Sequence, residues 1–164
     1  MKKISIHQLT FCGILAAVYA ALTIATAAFA YGGVQFRLAE ALCVLPFFAP
    51  WTSYGLVLGC LIANLFSTVS ALDIVIGTCA TLIGCLLTAR VRHKWLVPLP
   101  TVLSNSVLVG AMLALVYTPD APLQGFALFA LQVGAGELAV LYALGMPLLL
   151  VIQRKGLDAR LNAL

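Results

Sequence analysis

The chain has 164 residues, of which 63% are hydrophobic and 9% are charged, and its formal net charge is +4. A mean hydropathy of +1.12 lies outside the range of soluble domains, and apolar runs long enough to cross a bilayer recur along the sequence. These values exclude a soluble protein and predict an all-α, polytopic membrane protein. At about 20 residues for each crossing, the length allows about six spans and leaves no soluble domain.

We predict one transmembrane domain over residues 1–164, a compact bundle of six helices. The spans are expected at about residues 9–31, 38–50, 54–70, 73–89, 97–117 and 123–152. Lys2, Lys3 and the small residues around Phe29 also resemble a cleavable signal peptide, but the length of the first apolar run favours a retained helix. The last span is longer than a bilayer requires, so it should be tilted, kinked or extended beyond the membrane.

The basic residues predict the orientation of the bundle. They form three clusters: Lys2 and Lys3, then Arg90, Arg92 and Lys94, and finally Arg154, Lys155 and Arg160. Six crossings place all three clusters on one side, which the positive-inside rule identifies as the cytoplasm. Both termini are therefore expected in the cytoplasm of a multi-pass plasma-membrane protein. This placement explains the positive charge better than a nucleic-acid-binding patch.

The first span is rich in alanine. Ala16 and Ala20, and likewise Ala17 and Ala21, are four residues apart and form a smooth stripe that another helix can approach closely. Packing within this chain and packing against a partner protein are both compatible with the stripe. The pair Gly32-Gly33 then predicts a turn.

Polar residues collect near the predicted outer ends of the spans. They are Gln35, Arg37, Glu40, Asn64, Asp73 and Gln132, with Glu137 deeper in the last span. An ionisable group inside a span costs about 2.5–3.5 kcal/mol on insertion scales, so function is the default interpretation. Groups from separate helices at one depth predict a substrate pocket that opens to the outside.

The individual residues leave alternatives open. Arg37 and Glu40 lie at i and i+3 on one side of a helix, where they can form a salt bridge, bind a ligand, or do both. Glu137 has no basic residue within fourteen positions, so it is protonated, paired with Arg37, or reserved for a ligand. Its two acceptors suit the adjacent N–H groups of a guanine-like edge or an amine. Asp73 is also explained by the helix dipole, and Asn105 lies nearer the inner face.

No enzymatic motif accompanies these residues. The sequence contains no phosphate-binding loop, zinc-protease motif or nucleophile elbow. The five cysteines show no metal-binding spacing and are expected to be buried free thiols. We therefore predict a protein that is not an enzyme and that holds neither a metal nor a cofactor.

Several segments together resemble the QueT family, the substrate-binding S components of energy-coupling factor (ECF) transporters. The resemblance spans about residues 10–150. It rests on QFRLAEAL from Gln35, LPFF from Leu45, GCLIAN from Gly59, LDI from Leu72 followed by Gly77, and GEL from Gly136.

The resemblance implies a six-helix bundle that captures a queuosine precursor, a 7-deazaguanine base, from outside. It also implies docking on a transmembrane T component with two cytoplasmic ATPases, which hydrolyse the ATP that this chain does not use. In the wider group an alanine motif on the first helix contacts the T component, which favours a partner surface at the alanine stripe. Phe36, Phe66 or Tyr31 either stack on the base or simply pack in the bundle. Substrate-binding roles are expected for Gln35, Arg37, Glu40, Asn64, Asp73 and Glu137. An S component for another vitamin, an ion-coupled carrier using Glu137, and a scaffold subunit that binds no ligand remain alternatives.

Overall fold

A computed structural model describes residues 4–31 and 34–164 of the chain. The predicted anchors Lys2 and Lys3 and the predicted turn at Gly32-Gly33 lie outside the described residues. Within the described residues the protein is helical and contains no strand, so the all-α prediction is confirmed there.

The helices follow the predicted order, with different bounds. They are α1 (Ile6–Ala25), α2 (Ala27–Ala30), a 3₁₀ helix (Leu38–Phe47), α3 (Thr52–Asn64), α4 (Leu72–Thr88), a 3₁₀ turn (Lys94–Leu96), α5 (Leu99–Tyr117), α6 (Pro122–Val140), a π-helical segment (Leu141–Gly145), α7 (Met146–Arg154) and α8 (Leu157–Ala163). The third predicted span is therefore shorter than expected, because its helix ends at Asn64.

Three helical stretches in the described part of the chain are long and apolar enough to cross a membrane. They are Ile6–Ala25, Lys94–Tyr117 and Pro122–Arg154. Three further apolar helices have only 10–17 residues: Leu38–Phe47, Thr52–Asn64 and Leu72–Thr88. The chain is thus a membrane protein by length and composition, while the count of six spans and the cytoplasmic termini remain predictions.

The 3₁₀ helix lies at the centre of the structure. It packs against α1, α3, α4, α6, α7 and the π-helical segment. Ten residues rise about 20 Å in a 3₁₀ helix but only about 15 Å in an α-helix, so this conformation lengthens a short segment. Ala39, Glu40, Val44 and most of the other side chains of this helix are buried.

Helices α1 and α3 approach closely because α3 carries glycines on the contact face. A Cβ atom at Gly59 would lie 2.7 Å from the carbonyl oxygen of Ala16, and one at Gly55 would meet the backbone of Cys12. Glycine at both positions therefore allows the two helices to touch along their backbones. This contact places Tyr19 of α1 in the protein interior.

The last long stretch is not a uniform α-helix. The π-helical segment Leu141–Gly145 separates α6 from α7, and the N–H of Met146 donates to the carbonyl of Leu141. Pro147 follows, and its ring cannot fit against the carbonyl four residues earlier in a regular α-helix. The wider turn relieves this clash and packs Gly145 against Val44 of the 3₁₀ helix.

Candidate functional site

Arg37 is buried between two carboxylates. Its Nη1 lies 3.9 Å from Oε1 of Glu40, and its Nη2 lies 3.8 Å from Oδ2 of Asp73. The three side chains are 4%, 0% and 0% exposed. Among the described residues the buried charged side chains are these three and Glu137. A charged cluster inside an apolar bundle is thus the principal polar feature of the molecule.

The 3₁₀ geometry explains why Arg37 and Glu40 are aligned. With three residues in each turn, side chains at i and i+3 lie directly above one another. Arg37 precedes the helix, Glu40 is in its first turn, and Cys43 is one turn further. The Cys43 thiol donates to Oε2 of Glu40 at 3.0 Å, so the three side chains form one row.

Glu40 is held by groups from other helices. The Tyr19 hydroxyl of α1 donates to Oε1, and the Thr81 hydroxyl of α4 donates to the same oxygen at 3.4 Å. Together with the bond from Cys43, both carboxylate oxygens are satisfied. Glu40 therefore joins α1, α4 and the 3₁₀ helix.

Asp73 and Asn64 form the second part of the cluster. The Ser67 hydroxyl donates to Oδ2 of Asp73 at 2.7 Å, and Nδ2 of Asn64 donates to the Asp73 backbone carbonyl at 3.0 Å. Gly77 lies against both side chains, where a Cβ atom would collide with Oδ1 of Asp73 and Nδ2 of Asn64. Asp73 is in the first turn of α4, as predicted, but it also pairs with Arg37.

Cys60 contacts both halves of this arrangement. Its sulfur lies 3.6 Å from Nη1 of Arg37, 3.4 Å from Nδ2 of Asn64 and 3.2 Å from the Thr81 hydroxyl. Cys60, Tyr19 and Thr81 are not among the site residues that the sequence predicts. Each is an ordinary helix residue, and no local pattern distinguishes it from one that faces lipid.

Glu137 lies on α6 and pairs with Asn105 of α5. The Asn105 amide donates to Oε1 at 2.9 Å, whereas Oε2 has no hydrogen-bond partner among the described residues. Glu137 is buried and interacts electrostatically with Glu40 and Arg37, so it belongs to the same interior region. Asn105, which the sequence places nearer the inner face, is thus the direct partner of Glu137.

Gln35 lies where the segment after α2 meets α6. It is buried, and its φ of 48° falls in the left-handed region that non-glycine residues rarely adopt. The segment packs against Gly136, where a Cβ atom would collide with the carbonyl oxygen of Val34. Strained backbone of this kind is concentrated at functional sites, where the surrounding structure holds it.

Several buried polar atoms of the cluster have no hydrogen-bond partner within the described residues. The donors are Nε2 of Gln35 and Nε of Arg37, and the acceptors are Oδ1 of Asn64, Oδ1 of Asp73 and Oε2 of Glu137. Leaving such atoms unpaired costs about 1–3 kcal/mol each, and more for charged groups. A polar ligand that reached the cluster would meet both donors and acceptors without partners among the described residues.

Comparison with known proteins decides the family. The family model described as "QueT transporter" matches residues 9–154. The chain belongs to the QueT transporter family. A curated relative from Lactococcus lactis subsp. cremoris, the "Queuosine precursor transporter QueT", is 32% identical over 101 residues. That alignment covers 58% of this chain and 59% of the relative, so it spans about three fifths of the relative's length. No solved structure matches.

Membership of the QueT family confirms the resemblance found in the sequence. A transporter family agrees with the prediction that the chain is not an enzyme. Membership of a transporter family also agrees with the prediction of a membrane protein that handles a small molecule. Among the described residues no group of three or more His, Cys, Asp or Glu side chains is arranged to hold a metal ion.

The alanine stripe of this QueT protein divides between two faces of α1. Ala16 and Ala20 are buried, and Ala16 packs against Gly59 of α3. Ala17 and Ala21 are exposed. The close approach that the spacing predicts thus occurs within the chain at one face, and a partner surface on α1 would rest on the other.

Two of the three predicted stacking residues lie away from the cluster. Phe36 and Phe66 are exposed, at 43% and 59%. Tyr31 is buried, with the guanidinium carbon of Arg37 5.6 Å from its ring centroid, and its hydroxyl donates to the carbonyl of Ala63. Cys79 is exposed, so the expectation that all five thiols are buried is wrong at that position, which faces outward from α4.

Proposed function

We propose that this chain is the substrate-binding S component of an ECF importer and that it binds a 7-deazaguanine base from outside the plasma membrane. The observation that carries the proposal is the buried cluster of unpaired donors and acceptors, contributed by separate helices of a QueT family chain. The name of the curated relative supports the substrate class.

The guanine edge of a deazaguanine matches the available atoms. Its ring N–H and exocyclic amino group lie side by side and require adjacent acceptors, while its carbonyl oxygen requires a donor. We assign the acceptor role to Glu137, because its Oε2 is unpaired whereas both oxygens of Glu40 are engaged. Nε of Arg37 and the amide of Gln35 are the donors for the carbonyl oxygen.

Asn64 and Asp73 supply the remaining contacts. Oδ1 of each accepts from donors on the base or on its substituent, and Asp73 keeps the Arg37 guanidinium in place. The described interior holds three buried carboxyl groups, of Glu40, Asp73 and Glu137, and one buried guanidinium, a ratio that favours a base that carries an amine. Glu40 acts by positioning Arg37 instead of contacting the ligand.

Energy for import comes from other chains in this proposal. The described residues form membrane helices with short connections and no nucleotide-binding motif. The exposed small residues Ala17 and Ala21 on α1 are the proposed contact for a T component that carries two ATPases. In this proposal the ATPases supply the energy, and this chain captures the substrate.

A binding experiment tests the substrate. Purified protein is titrated with labelled 7-deazaguanines, with and without an aminomethyl substituent, and any molecule that copurifies is identified by mass spectrometry. We expect saturable binding of the labelled base, and unlabelled bases that carry a guanine edge should compete with it. Glu137→Gln should weaken this binding, and Asp120→Asn, the same change at an exposed residue, should not. Retention of an unrelated vitamin would instead identify another S-component substrate, and binding of no ligand would favour a scaffold role.

A transport experiment tests the energy source. Proteoliposomes that contain this chain alone should not accumulate the base, and addition of a T component with its ATPases and ATP should start uptake. Gradient-driven uptake by the chain alone would replace the proposal with an ion-coupled carrier, in which Glu137 is the proton site.

A further inference from the structure

A groove runs between the end of α4 and the start of α5, remote from the charged cluster. Its volume is about 670 Å³. The walls include exposed apolar side chains such as Leu87, Leu103 and Val107, at 47%, 62% and 51% exposure. The start of α5 belongs to a stretch that is long and apolar enough to cross a membrane, where lipid tails would contact an apolar groove of this kind.

One end of the groove is basic. Arg90, Arg92 and His93 contribute to its lining, and all three are exposed. One Nη of Arg90 donates to the Leu86 carbonyl at the end of α4, which fixes the guanidinium at the mouth of the groove. Lys94 follows directly, with its ammonium 5.7 Å from the ring centroid of the exposed Trp95.

The chain segment that carries these basic residues supplies no acidic residue to balance their charge. The sequence contains neither Asp nor Glu between Asp73 and Asp120, a stretch that includes α4, the basic link and α5. The groove therefore has an anion-attracting end and a body lined mainly by apolar side chains. Exposed Trp95 next to this end is typical of the headgroup level of a membrane.

We propose that this groove binds one anionic phospholipid, with the headgroup phosphate at Arg90 and Arg92 and an acyl chain along Leu87, Leu103 and Val107. A free phosphate would use the basic end but gain nothing from the apolar walls. An anionic lipid uses both, and such lipids are enriched on the side where this basic link is predicted to lie. The site would hold the α4–α5 end of the bundle against the membrane surface.

Native mass spectrometry of the detergent-purified full chain tests the proposal. The protein is incubated with phosphatidylglycerol or phosphatidylcholine of identical acyl chains, and retained lipid is counted for each molecule of protein. We expect one phosphatidylglycerol to be retained preferentially. The double variant Arg90→Gln, Arg92→Gln should reduce its retention on the order of tenfold or more, since each cation near an anionic surface favours binding.

Matched variants distinguish binding in this groove from lipid retention caused by basic or apolar residues elsewhere on the surface. Arg154→Gln with Lys155→Gln removes the same charge at the end of α7 and should leave retention unchanged. Leu103→Trp fills the groove and should displace the lipid, whereas Leu131→Trp, at an exposed position of α6 that does not line the groove, should not.

Several outcomes would overturn the proposal. One is equal retention of phosphatidylglycerol and phosphatidylcholine, and another is an equal loss of phosphatidylglycerol retention in the Arg154 and Lys155 variant. A third is retention that survives Leu103→Trp but is abolished by millimolar inorganic phosphate, which would indicate an anion site alone. Loss of assembly with a protein partner in the Arg90 and Arg92 variant, with phosphatidylglycerol retention unchanged, would assign the surface to that partner.

Discussion

The guanidinium of Arg37 lies 3.8 Å from the carboxylate of Asp73, although Arg37 precedes the central 3₁₀ helix and Asp73 opens α4. Both side chains are buried, so the contact fixes the segment before the 3₁₀ helix against the start of α4. The same guanidinium faces Glu40, which is itself bonded to α1. One cation thus organises the polar interior of the bundle.

Replacing Arg37 with Gln should unfold or strongly destabilise the protein. The change leaves Glu40 and Asp73 buried without a counter-charge, and breaking a buried pair in this way costs about 3–5 kcal/mol. Thermal unfolding in detergent measures the effect. Arg154→Gln, an exposed site, is the control. Adding Asp73→Asn to Arg37→Gln should recover part of the loss, and failure to recover any would argue against the pairing.

Tyr19→Phe should lower stability by about 1–3 kcal/mol. The Tyr19 hydroxyl is a donor to Oε1 of buried Glu40, and its removal leaves that oxygen with the long bond from Thr81. Denaturant or thermal unfolding measures the loss. Tyr54→Phe removes a hydroxyl from an exposed ring and should be neutral. Equal stability of both variants would contradict the role of Tyr19.

Glu137→Gln should mainly weaken ligand binding, whereas Glu40→Gln should mainly lower stability. At Glu137 the change replaces a carboxyl group whose Oε2 has no hydrogen-bond partner among the described residues, so ligand affinity should fall by about 1–3 kcal/mol, roughly five- to hundredfold in Kd, with little loss of stability. At Glu40 it replaces one of two acceptor oxygens by an amide nitrogen, so the bonds from Tyr19, Thr81 and Cys43 cannot all be kept and the charge facing Arg37 is lost. Stability should therefore fall first. Ligand titration beside thermal unfolding separates the two. Unchanged affinity in the Glu137 variant would remove it from the ligand site.

Gly136→Ala should weaken ligand binding by displacing the strained segment at Gln35. The added methyl group meets the carbonyl oxygen of Val34, and relieving that collision by backbone movement typically costs about 1–3 kcal/mol. Gly13→Ala is the matched control, because a Cβ atom there meets nothing within 4 Å. The control should be neutral or slightly stabilising. Identical affinity and stability of the two variants would show that the close approach does not matter.

Ala17→Leu and Ala16→Leu should separate partner binding from folding. Ala17 is exposed on α1, so a larger side chain there should block association with the T component while leaving the unfolding temperature unchanged. Ala16 packs against α3, and a larger side chain there should destabilise the chain itself. Copurification with the T component and thermal unfolding give the two readouts. Normal association of the Ala17 variant would place the partner surface elsewhere.

The composition of the chain and the spacing of its residues are sufficient to predict membrane helices and some of the contacts between neighbouring residues. Mean hydropathy and apolar run length predict membrane helices. The free-energy cost of exposing apolar side chains to water depends on the apolar surface area exposed and not on how the helices are arranged. The proximity of Arg37 and Glu40 also follows from spacing, since i and i+3 share a side in either helix type. The segment Leu38–Phe47 is nevertheless a 3₁₀ helix, and no local pattern distinguishes this from an α-helix.

The tertiary structure decided which helix faces meet. Asp73, Cys60 and Tyr19 reach the Arg37 and Glu40 pair because of the rotation and depth of three separate helices, which depend on long-range packing such as the α1–α3 contact at Gly59. The alanine spacing is equally regular on both faces of α1, and contact with α3 alone shows which face is buried. Periodicity defines the faces of a helix, and only its neighbours determine what each face touches.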